Sequence, residues 1–498
     1  MDHNTVQRQG DSLKLYEIIE GFSYQLIKGD VSIEIGKIEH DSRKVSKNDM
    51  FIAIKGFSVD GHNFIDEAIS KGASCIVIEK DIDGPLSDGV TYIKVKDTLL
   101  ALAKFSSVFY GNPSKKLHLI GVTGTNGKTS TTFLIKKILE EADKKTALIG
   151  TLGAVINGER IENRNTTPES LLLQQHLKRM LDNGNEFCVM EVSSHALDLK
   201  RVEYTHFQVG VFTNLTKDHL DYHKTMENYY KSKLKLFSMT NKCNIINGDD
   251  EYGKRMLKDI DNKVPILTYG IDEKCHVYAT DINYHTNGVD FKLNTPKGVI
   301  PINMKLLGRF NVYNALAAAS CAIAYDISLP TIKRGIEAIS GIRGRFEVIH
   351  VESRDFDVII DYAHTPDGLE KVLKAIDGFA QGRKIVLFGA GGNRDREKRP
   401  MMGEVAAKHA DICIVTSDNP RYEDPDKIIE DILVGVRRGK AKYIAITDRK
   451  EAIKYALEIA KPKDTILLAG KGHETYIIIK DKVIPFDEKQ IVMDIINR

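Results

Sequence analysis

Short apolar runs recur along the chain, each bounded by a Gly, Pro or polar turn. Met50-Phe51-Ile52-Ala53-Ile54 and Cys75-Ile76-Val77-Ile78 read as strands. Residues 64–73 between them read as a short helix that Gly72 ends. Leu117-His118-Leu119-Ile120-Gly121-Val122 reads as a buried strand. A loop follows it, then a helix from near Thr129 to Ala142 with Leu134, Ile135, Ile138, Leu139 and Ala142 on one face. Strand and helix candidates alternate to near residue 340, which implies a mainly parallel sheet. Phe356-Asp357-Val358-Ile359-Ile360, Lys384-Ile385-Val386-Leu387-Phe388, Ile412-Cys413-Ile414-Val415 and Thr465-Ile466-Leu467-Leu468 are four further strands. Each leads into a polar loop bearing Gly or Pro, and doubly wound sheets bind ligands where strands end and loops begin. The turn cluster Tyr110-Gly111-Asn112-Pro113-Ser114 is a candidate linker. The pattern predicts an α/β protein of three domains: a small mixed unit over 1–113, a central unit over 114–342 and a Rossmann-like unit over 343–498.

Composition narrows this picture a little. Lys plus Arg number 71 against 69 Asp plus Glu, which argues against nucleic-acid binding through bulk charge but leaves room for a local cationic site. No pair of the six cysteines has zinc or thioredoxin spacing. Cys75, Cys188 and Cys413 sit in apolar runs and read as buried reduced thiols, which fits a reducing cytosol. The N-terminus is polar and lacks an apolar signal core, and no run approaches the roughly 20 residues of a membrane span. A cytoplasmic enzyme is the expectation.

The sharpest chemistry lies in Gly124-Thr125-Asn126-Gly127-Lys128-Thr129-Ser130, between the strand and the helix. Glycines let backbone N–H groups turn toward a polyanion, and a helix N-terminus adds partial positive charge. Lys128 can reach terminal phosphates and Thr129 can ligate Mg²⁺. One departure stands out. The standard phosphate loop has a glycine where this chain has Val122, with Gly124 closer in.

The compact loop Thr123-Gly124-Thr125-Asn126-Gly127-Lys128-Thr129 resembles that of the Mur ligase superfamily, ATP-dependent enzymes that build the peptidoglycan peptide stem, with folylpolyglutamate synthases as cousins. Glu191-Val192-Ser193-Ser194-His195, Asn214-Leu215-Thr216-Lys217-Asp218-His219-Leu220-Asp221, Gly308-Arg309-Phe310-Asn311-Val312-Tyr313-Asn314-Ala315 and Asp361-Tyr362-Ala363-His364-Thr365-Pro366 follow in that family's order. The resemblance is strongest to members that add the third stem residue. It implies that Asp41-Ser42-Arg43 forms the uridine-diphosphate site, with Ser42 in contact. It implies that Asn165-Thr166-Thr167-Pro168, Ser193 and Arg201 bind the muramoyl peptide. The first domain would then hold the UDP-muramoyl substrate, the central P-loop ATPase-like domain ATP, and the last domain the incoming amino acid.

The family converts a carboxylate to an acyl phosphate with ATP before an amine attacks it. Phosphoryl transfer needs charge neutralisation and positioning more than covalent help. The resemblance makes Lys128, Glu191, His219 and Lys233 catalytic. It makes Thr129, Glu191, His219 and Lys233 the Mg²⁺ ligands, with Lys233 carbamylated (an N6-carboxylysine). It places Asn314, Arg345 and Asp361 on the nucleotide. From residue type alone, Glu191 also reads as a helix-start charge or a surface ion pair, His219 as an exposed loop histidine or a helix-start residue, and Arg345 as a surface ion pair. Lys231, Lys233 and Lys235 also read as a solvated charge run, and His364 as a helix cap.

The family's distinction between added amino acids falls on Asp418-Asn419-Pro420-Arg421, which resembles the motif of meso-diaminopimelate-adding members. Lysine-adding relatives usually lack that arginine. A guanidinium pairs bidentately with the distal carboxylate of diaminopimelate, whereas a lysine ammonium would be repelled there. Arg394 matches a second carboxylate-binding arginine, and Gly470 and Glu474 match the receivers of the distal amino group. The family more often has Asp where Asn393 stands. Taken alone, Asp418 to Arg421 also reads as a β-turn with a helix cap. The expectation is a monomeric ligase joining meso-diaminopimelate to UDP-N-acetylmuramoyl-L-alanyl-D-glutamate; a lysine-adding or folylpolyglutamate synthase-like ligase is the alternative.

Overall fold

The computed structural model describes residues 12–56, 59–163, 165–261, 263–271, 274–285 and 287–497. The N-terminal residues 1–11, read above as lacking a signal core, lie outside them. The chain forms two compact units, one of 1–121, 145–208 and 239–241, the other of 122–144, 209–238 and 242–498.

In the first unit, five strands lie in the order Gln25–Lys28, Thr91–Lys94, Cys75–Ile78, Met50–Ile52, Ile38–Glu39. Side chains alternate across a strand, so this sheet buries both faces. Met50, Ile52, Cys75, Val77 and Ile93 join Leu15, Ile18 and Phe105 on one side. Phe51, Ile76, Ile78 and Tyr92 join Ile65 and Ala68 on the other. The expected helix begins as a 3₁₀ turn at Gly61–Phe64 and continues as Ile65–Ser70. The strand Thr146–Gly150 pairs in parallel with Phe187–Glu191 and antiparallel with Gly153–Ile156.

In the second unit, the strands Thr240–Asn247, Ile266–Gly270 and Val277–His285 pair in parallel. Gly288–Thr295 and Gly298–Met304 then add antiparallel ribbons. The central region is therefore mixed rather than mainly parallel. Its hairpin turns use Asn287-Gly288 and Pro296-Lys297-Gly298, local signals that close a ribbon without a crossover helix.

The last sheet runs Glu347–Val351, Phe356–Asp361, Thr465–Ala469, Lys384–Phe388, Ile412–Val415, Lys442–Ala445. All its pairs are parallel except the first. Apolar clusters cover both faces, which explains the near-continuous apolar strands. Asp361, Gly470, Gly389 and Thr416 therefore sit at or just past the carboxyl ends of adjacent parallel strands. Five of the six cysteines are buried, and Cys275 is partly exposed. Among the described residues, no helix is long and apolar enough to cross a membrane.

Candidate active site

The phosphate loop is shaped by the strand His118–Thr123, the helix Lys128–Glu141 and a bracket from Thr213 and Asn214. Thr125 N–H donates to Asn214 O at 2.8 Å and Asn126 N–H to Asn214 Oδ1 at 3.0 Å. Thr213 Oγ1 and Asn214 Nδ2 donate to Asn126 O at 2.7 and 3.1 Å. The bracket leaves no room for a side chain at 124. A Cβ there would lie 1.8 Å from Thr213 Oγ1, and φ is +148°. Gly127 is constrained as well, with φ +86° and a Cβ that would lie 2.5 Å from Asn314 Oδ1. Lys128 Nζ curls back to Gly124 O and Thr125 O, both at 2.9 Å.

Lys233 meets Lys128 at the same carbonyl. Its Nζ donates to Gly124 O at 2.8 Å and lies 4.7 Å from the centre of the Tyr229 ring. The side chain is 1% exposed, so the solvated-run reading fails for this lysine, although Lys231 and Lys235 are exposed. The reason is helical period. Met226–Leu234 buries Tyr229, Tyr230 and Lys233 on one face and turns Lys231 outward. Burial drives the Lys233 amine well below the usual lysine range; Lys128 acts in the same direction and Asp218 opposes it.

His219 sits in a left-handed backbone conformation at φ 53°, starting the short helix Leu220–His223, with a side chain 43% exposed. Its backbone N–H donates to Asp218 Oδ1 at 2.8 Å, and its Nε2 lies 3.4 Å from Asp218 Oδ2. Burial acts to raise the Asp218 carboxyl, but His219, His364 and Lys398 outweigh it and hold the group at about 2. His364 is not a helix cap. Its Nδ1 lies 2.9 Å from Tyr362 O, and Thr365 Oγ1 caps the next helix by accepting from Gly368 N–H.

The nucleotide candidates surround the loop. Asn314 receives Thr131 Oγ1 at 3.3 Å and donates to Asn311 Oδ1 at 2.9 Å, behind the loop's helix. Arg345 Nη2 donates to Thr129 Oγ1 at 3.0 Å, and its guanidinium lies 4.7 Å from the Tyr362 ring centre. It is therefore tied to the phosphate loop rather than to a surface acid. Asp361 accepts Phe346 N–H and Ala363 N–H, each at 2.7 Å, and its burial raises its carboxyl. Sequence reasoning missed Asp367, whose Oδ2 takes Asn126 Nδ2 at 2.8 Å and Thr216 Oγ1 at 3.1 Å. It also missed Asn214 and Tyr229 as loop supports. Asn214 had been legible as part of a motif, but nothing in sequence marks Tyr229.

The first unit gathers a separate set. Glu191 ends its strand fully buried, taking Thr151 N–H on Oε1 at 2.8 Å and Thr151 Oγ1 on Oε2 at 3.1 Å. A Cβ at Gly150 would lie 2.3 Å from Oε1, so the neighbouring strand yields space to this carboxylate. Thr151 Oγ1 shares a 3.1 Å hydrogen bond with Thr166 Oγ1. Thr167 Oγ1 donates to Glu191 O at 2.8 Å and accepts Ser193 N–H at 3.0 Å. Arg201 donates to Thr167 O at 3.2 Å and pairs with Glu169 at 2.7 Å. Asn165 is exposed beside this group. Ser42 is buried and turned to Glu67 Oε2 at 2.7 Å, while Asp41 caps its 3₁₀ turn.

The acceptor candidates converge at the carboxyl edge of the last sheet. Arg421 has φ 53°; its N–H donates to Ile478 O at 3.1 Å, and Lys480 N–H returns to Arg421 O at 2.8 Å. Its Nη1 donates to Gly392 O at 2.9 Å, in the loop that carries the exposed Arg394. Burial lowers the Arg421 guanidinium, and Arg394 adds to this. Both arginines flank Gly391, where a Cβ would lie 2.9 Å from Arg421 Nη1 and 3.7 Å from Arg394 Cγ. Asn419 Nδ2 donates to Glu474 Oε2 at 2.9 Å. Pro420 is buried, and Gly470, at φ +111°, faces Asp418. Asn393 Oδ1 accepts Tyr422 N–H at 3.1 Å, a turn bond that an Asp could equally make. A cavity of about 400 Å³ lies nearby, lined by Lys217, Asp218, Asp367, Asp395 and Lys398 among others.

Among the described residues, no three His, Cys, Asp or Glu side chains gather as a protein-only metal cage. Mg²⁺ does not need one, since it keeps waters and takes phosphate oxygens with one or two protein ligands. The Thr129 hydroxyl and Glu191 carboxylate are donors of that hard oxygen type.

Family models match three segments: the Mur ligase family catalytic domain over 34–110, the Mur ligase middle domain over 122–322 and the Mur ligase glutamate ligase domain over 344–472. A curated relative in Clostridium tetani (strain Massachusetts / E88), UDP-N-acetylmuramoyl-L-alanyl-D-glutamate--2,6-diaminopimelate ligase, is 49% identical and aligned over 97% of this chain and 99% of its own. A solved structure of a ligase with that name superposes with a TM-score of 0.68 at 31% identity, covering 98% of this chain and 99% of the other. The MurF ligase from Thermotoga maritima in complex with ADP, at 18% identity and a TM-score of 0.64 over 92% of this chain and 96% of its own, shares the fold. With three family segments in order and a full-length relative at this identity, the chain belongs to the Mur ligase family.

Proposed function

We infer that this chain is the ATP-dependent ligase that joins meso-diaminopimelate to UDP-N-acetylmuramoyl-L-alanyl-D-glutamate in peptidoglycan precursor synthesis. The observation that carries it is the acceptor site. Arg394 and Arg421, which flank Gly391, offer two guanidinium groups to a carboxylate, and Asn419 and Glu474 offer an acceptor for an ammonium group. That set fits the amino-acid head at the far end of diaminopimelate and repels a lysine side chain. The names of the full-length relatives point the same way.

In this reading the D-glutamyl carboxylate takes the γ-phosphoryl group of ATP, and ADP leaves. The amine of diaminopimelate then adds to the acyl carbon, phosphate departs and the amine loses a proton. Gly124 to Ser130 cradle the phosphates, with Lys128 on the transferring group. Asn314, Arg345 and Asp361 order the nucleotide side. Ser42, Asn165, Thr166, Thr167, Ser193 and Arg201 hold the UDP-muramoyl peptide. Thr129, Glu191, His219 and a carbamylated Lys233 would hold Mg²⁺, which neutralises charge developing on the phosphoryl oxygens. A neutral amine is what adds CO₂, and the lowered basicity of Lys233 favours that form. The domain division is 1–113 for the UDP-muramoyl substrate, 114–342 for ATP and 343–498 for the amino acid. The enzyme acts as a monomer in the cytoplasm.

The test is phosphate release from ATP with the muramoyl dipeptide and either amino acid. Release that depends on diaminopimelate is expected. Release driven by lysine, or by neither, would overturn the reading.

A further inference from the structure

One fully buried cation at the acceptor site has no role in the reading above. Lys471 lies between Gly470 and Gly472, past the strand Thr465–Ala469, and is 0% exposed. Its Nζ donates to Asn419 Oδ1 at 2.8 Å, to Glu474 Oε2 at 3.0 Å and to Tyr476 O at 2.8 Å, and it lies 3.3 Å from Asp418 Oδ1. An ammonium has three protons, and each finds an acceptor in a different part of the site.

These contacts decide which ligand-binding atoms remain available. Asn419 Oδ1 is taken by Lys471 and by Ile478 N–H at 2.9 Å, which fixes the amide so that Nδ2 faces Glu474. The described bonds to Glu474 both fall on Oε2, which leaves Oε1 to a ligand. The hold on Tyr476 O anchors the ribbon Tyr476–Ile479, whose Ile478 O accepts Arg421 N–H and so supports the left-handed turn at Arg421. Lys471 also sets one positive charge against the two carboxylates of Asp418 and Glu474, leaving the pair a single net negative charge for an incoming ammonium. Arg399 and Arg449 are as deeply buried, but in the described bonds they reach only backbone oxygens near the acceptor candidates, Gly391 O for Arg399 and Ser417 O and Ala469 O for Arg449, and none of the candidates' side chains. Arg399 pairs with Glu423 and Asp431, and Arg449 with Glu488.

We propose that Lys471 is the positioning residue of the acceptor site. It touches no substrate atom, but fixes Asn419, Glu474 and the Arg421 turn in the one arrangement that accepts a second amino-acid head, and so sets the preference for diaminopimelate over lysine. This rests on the diaminopimelate reading, which the wild-type enzyme tests by itself: if it does not use diaminopimelate, that reading has failed.

If the wild type does, Lys471→Met and Lys471→Gln are compared with it. Met keeps length without donors or charge, and Gln keeps an amide donor. For Lys471→Met, the KM for diaminopimelate should rise about 30-fold or more, the scale of a lost buried charged hydrogen-bond set. The KM values for ATP and the muramoyl dipeptide should stay within about twofold, because the Lys471 ammonium bonds to none of the side chains assigned to either substrate. The ratio of diaminopimelate to lysine turnover should fall, and Lys471→Gln should lie between the two. A residue that only stabilises the fold would move melting temperature and all three KM values together, and that outcome overturns the proposal. So does an unchanged KM for diaminopimelate. If neither variant folds, Lys471 is a folding residue and the proposal also falls.

Discussion

Lys233 and Lys471 are the same side chain at the same depth, 1% and 0% exposed, in opposite surroundings. Lys233 rests on a backbone carbonyl and the face of Tyr229, with Lys128 pressing on it, so its charge is poorly compensated. Lys471 lies among two carboxylates, an amide oxygen and a carbonyl. A buried cation without partners is costly, whereas one with several is a fastener. On the two proposals above, the difference separates a lysine kept reactive beside the phosphate loop from one that holds the acceptor site in shape.

The largest effect that could break this comparison is on turnover. Lys233→Ala should lower kcat about 100-fold or more, the scale of losing a group that organises charge at a phosphoryl transfer. A short added carboxylic acid should restore part of it, by standing where the carbamate oxygens would be. The same acid should do nothing for Lys471→Met, whose defect is lost donors rather than a lost anion. Phosphate release measures both. Wild-type turnover in Lys233→Ala, or acid rescue of Lys471→Met, would erase the distinction.

The next effect falls on the acceptor side. Arg421→Ala should raise the KM for diaminopimelate about 30-fold, as expected when a carboxylate loses a charged partner, and leave the KM for ATP within about twofold. Equal changes in both constants would make Arg421 a turn residue whose left-handed backbone matters more than its guanidinium.

Asp218 tests the other side. It is the anion that partly offsets Lys233, and its carboxyl is held at about 2. A depressed carboxyl contributes stability that is present above the unfolded value near 4 and is lost as pH falls through about 2. Asp218→Asn should therefore cost about 2 kcal/mol at pH 7, and the gap to wild type should close between about pH 4 and pH 2. Urea midpoints across that range measure it; a gap that stays constant down to pH 2 would mean the charge of Asp218 is not what stabilises.

The phosphate-loop half of this comparison was largely legible in sequence, because its information is local. Gly124 to Thr129 lie between a strand and a helix, and the observed helix Lys128–Glu141 departs from the expected bounds by one residue at each end. That the acceptor candidates gather at one sheet edge was legible for a related reason: Arg394, Asp418 and Gly470 each follow a short apolar strand, and parallel order brings strand ends together. What sequence hid was partnership over distance. Asn126 meets Asp367 across 241 positions, and Lys471 meets Asn419 across 52. The burial of Lys233 was hidden differently. Alternating Lys231, Lys233 and Lys235 looks like one charged face only if the period is two, and the segment is helical. The antiparallel ribbons after residue 277 were missed because alternation of elements was extended past the hairpin turns that end it.

The smallest effect isolates the scaffold from the chemistry. Thr225 Oγ1 accepts Asn228 N–H at 3.1 Å and caps Met226–Leu234, the helix that turns Lys233 inward. Thr225→Ala should cost about 1 kcal/mol, the usual value of a lost N-cap. The cap lies two turns from Lys233, and Tyr229, Tyr230 and Lys233 remain packed by their own burial, so the helix should fray at its first turn only. Melting temperature should therefore fall slightly, with kcat near wild type and no response to added acid. If Thr225→Ala instead lost activity that acid restored, Lys233 would depend on the whole helix for its placement, and the contrast with Lys471, held by side chains from its own site, would widen.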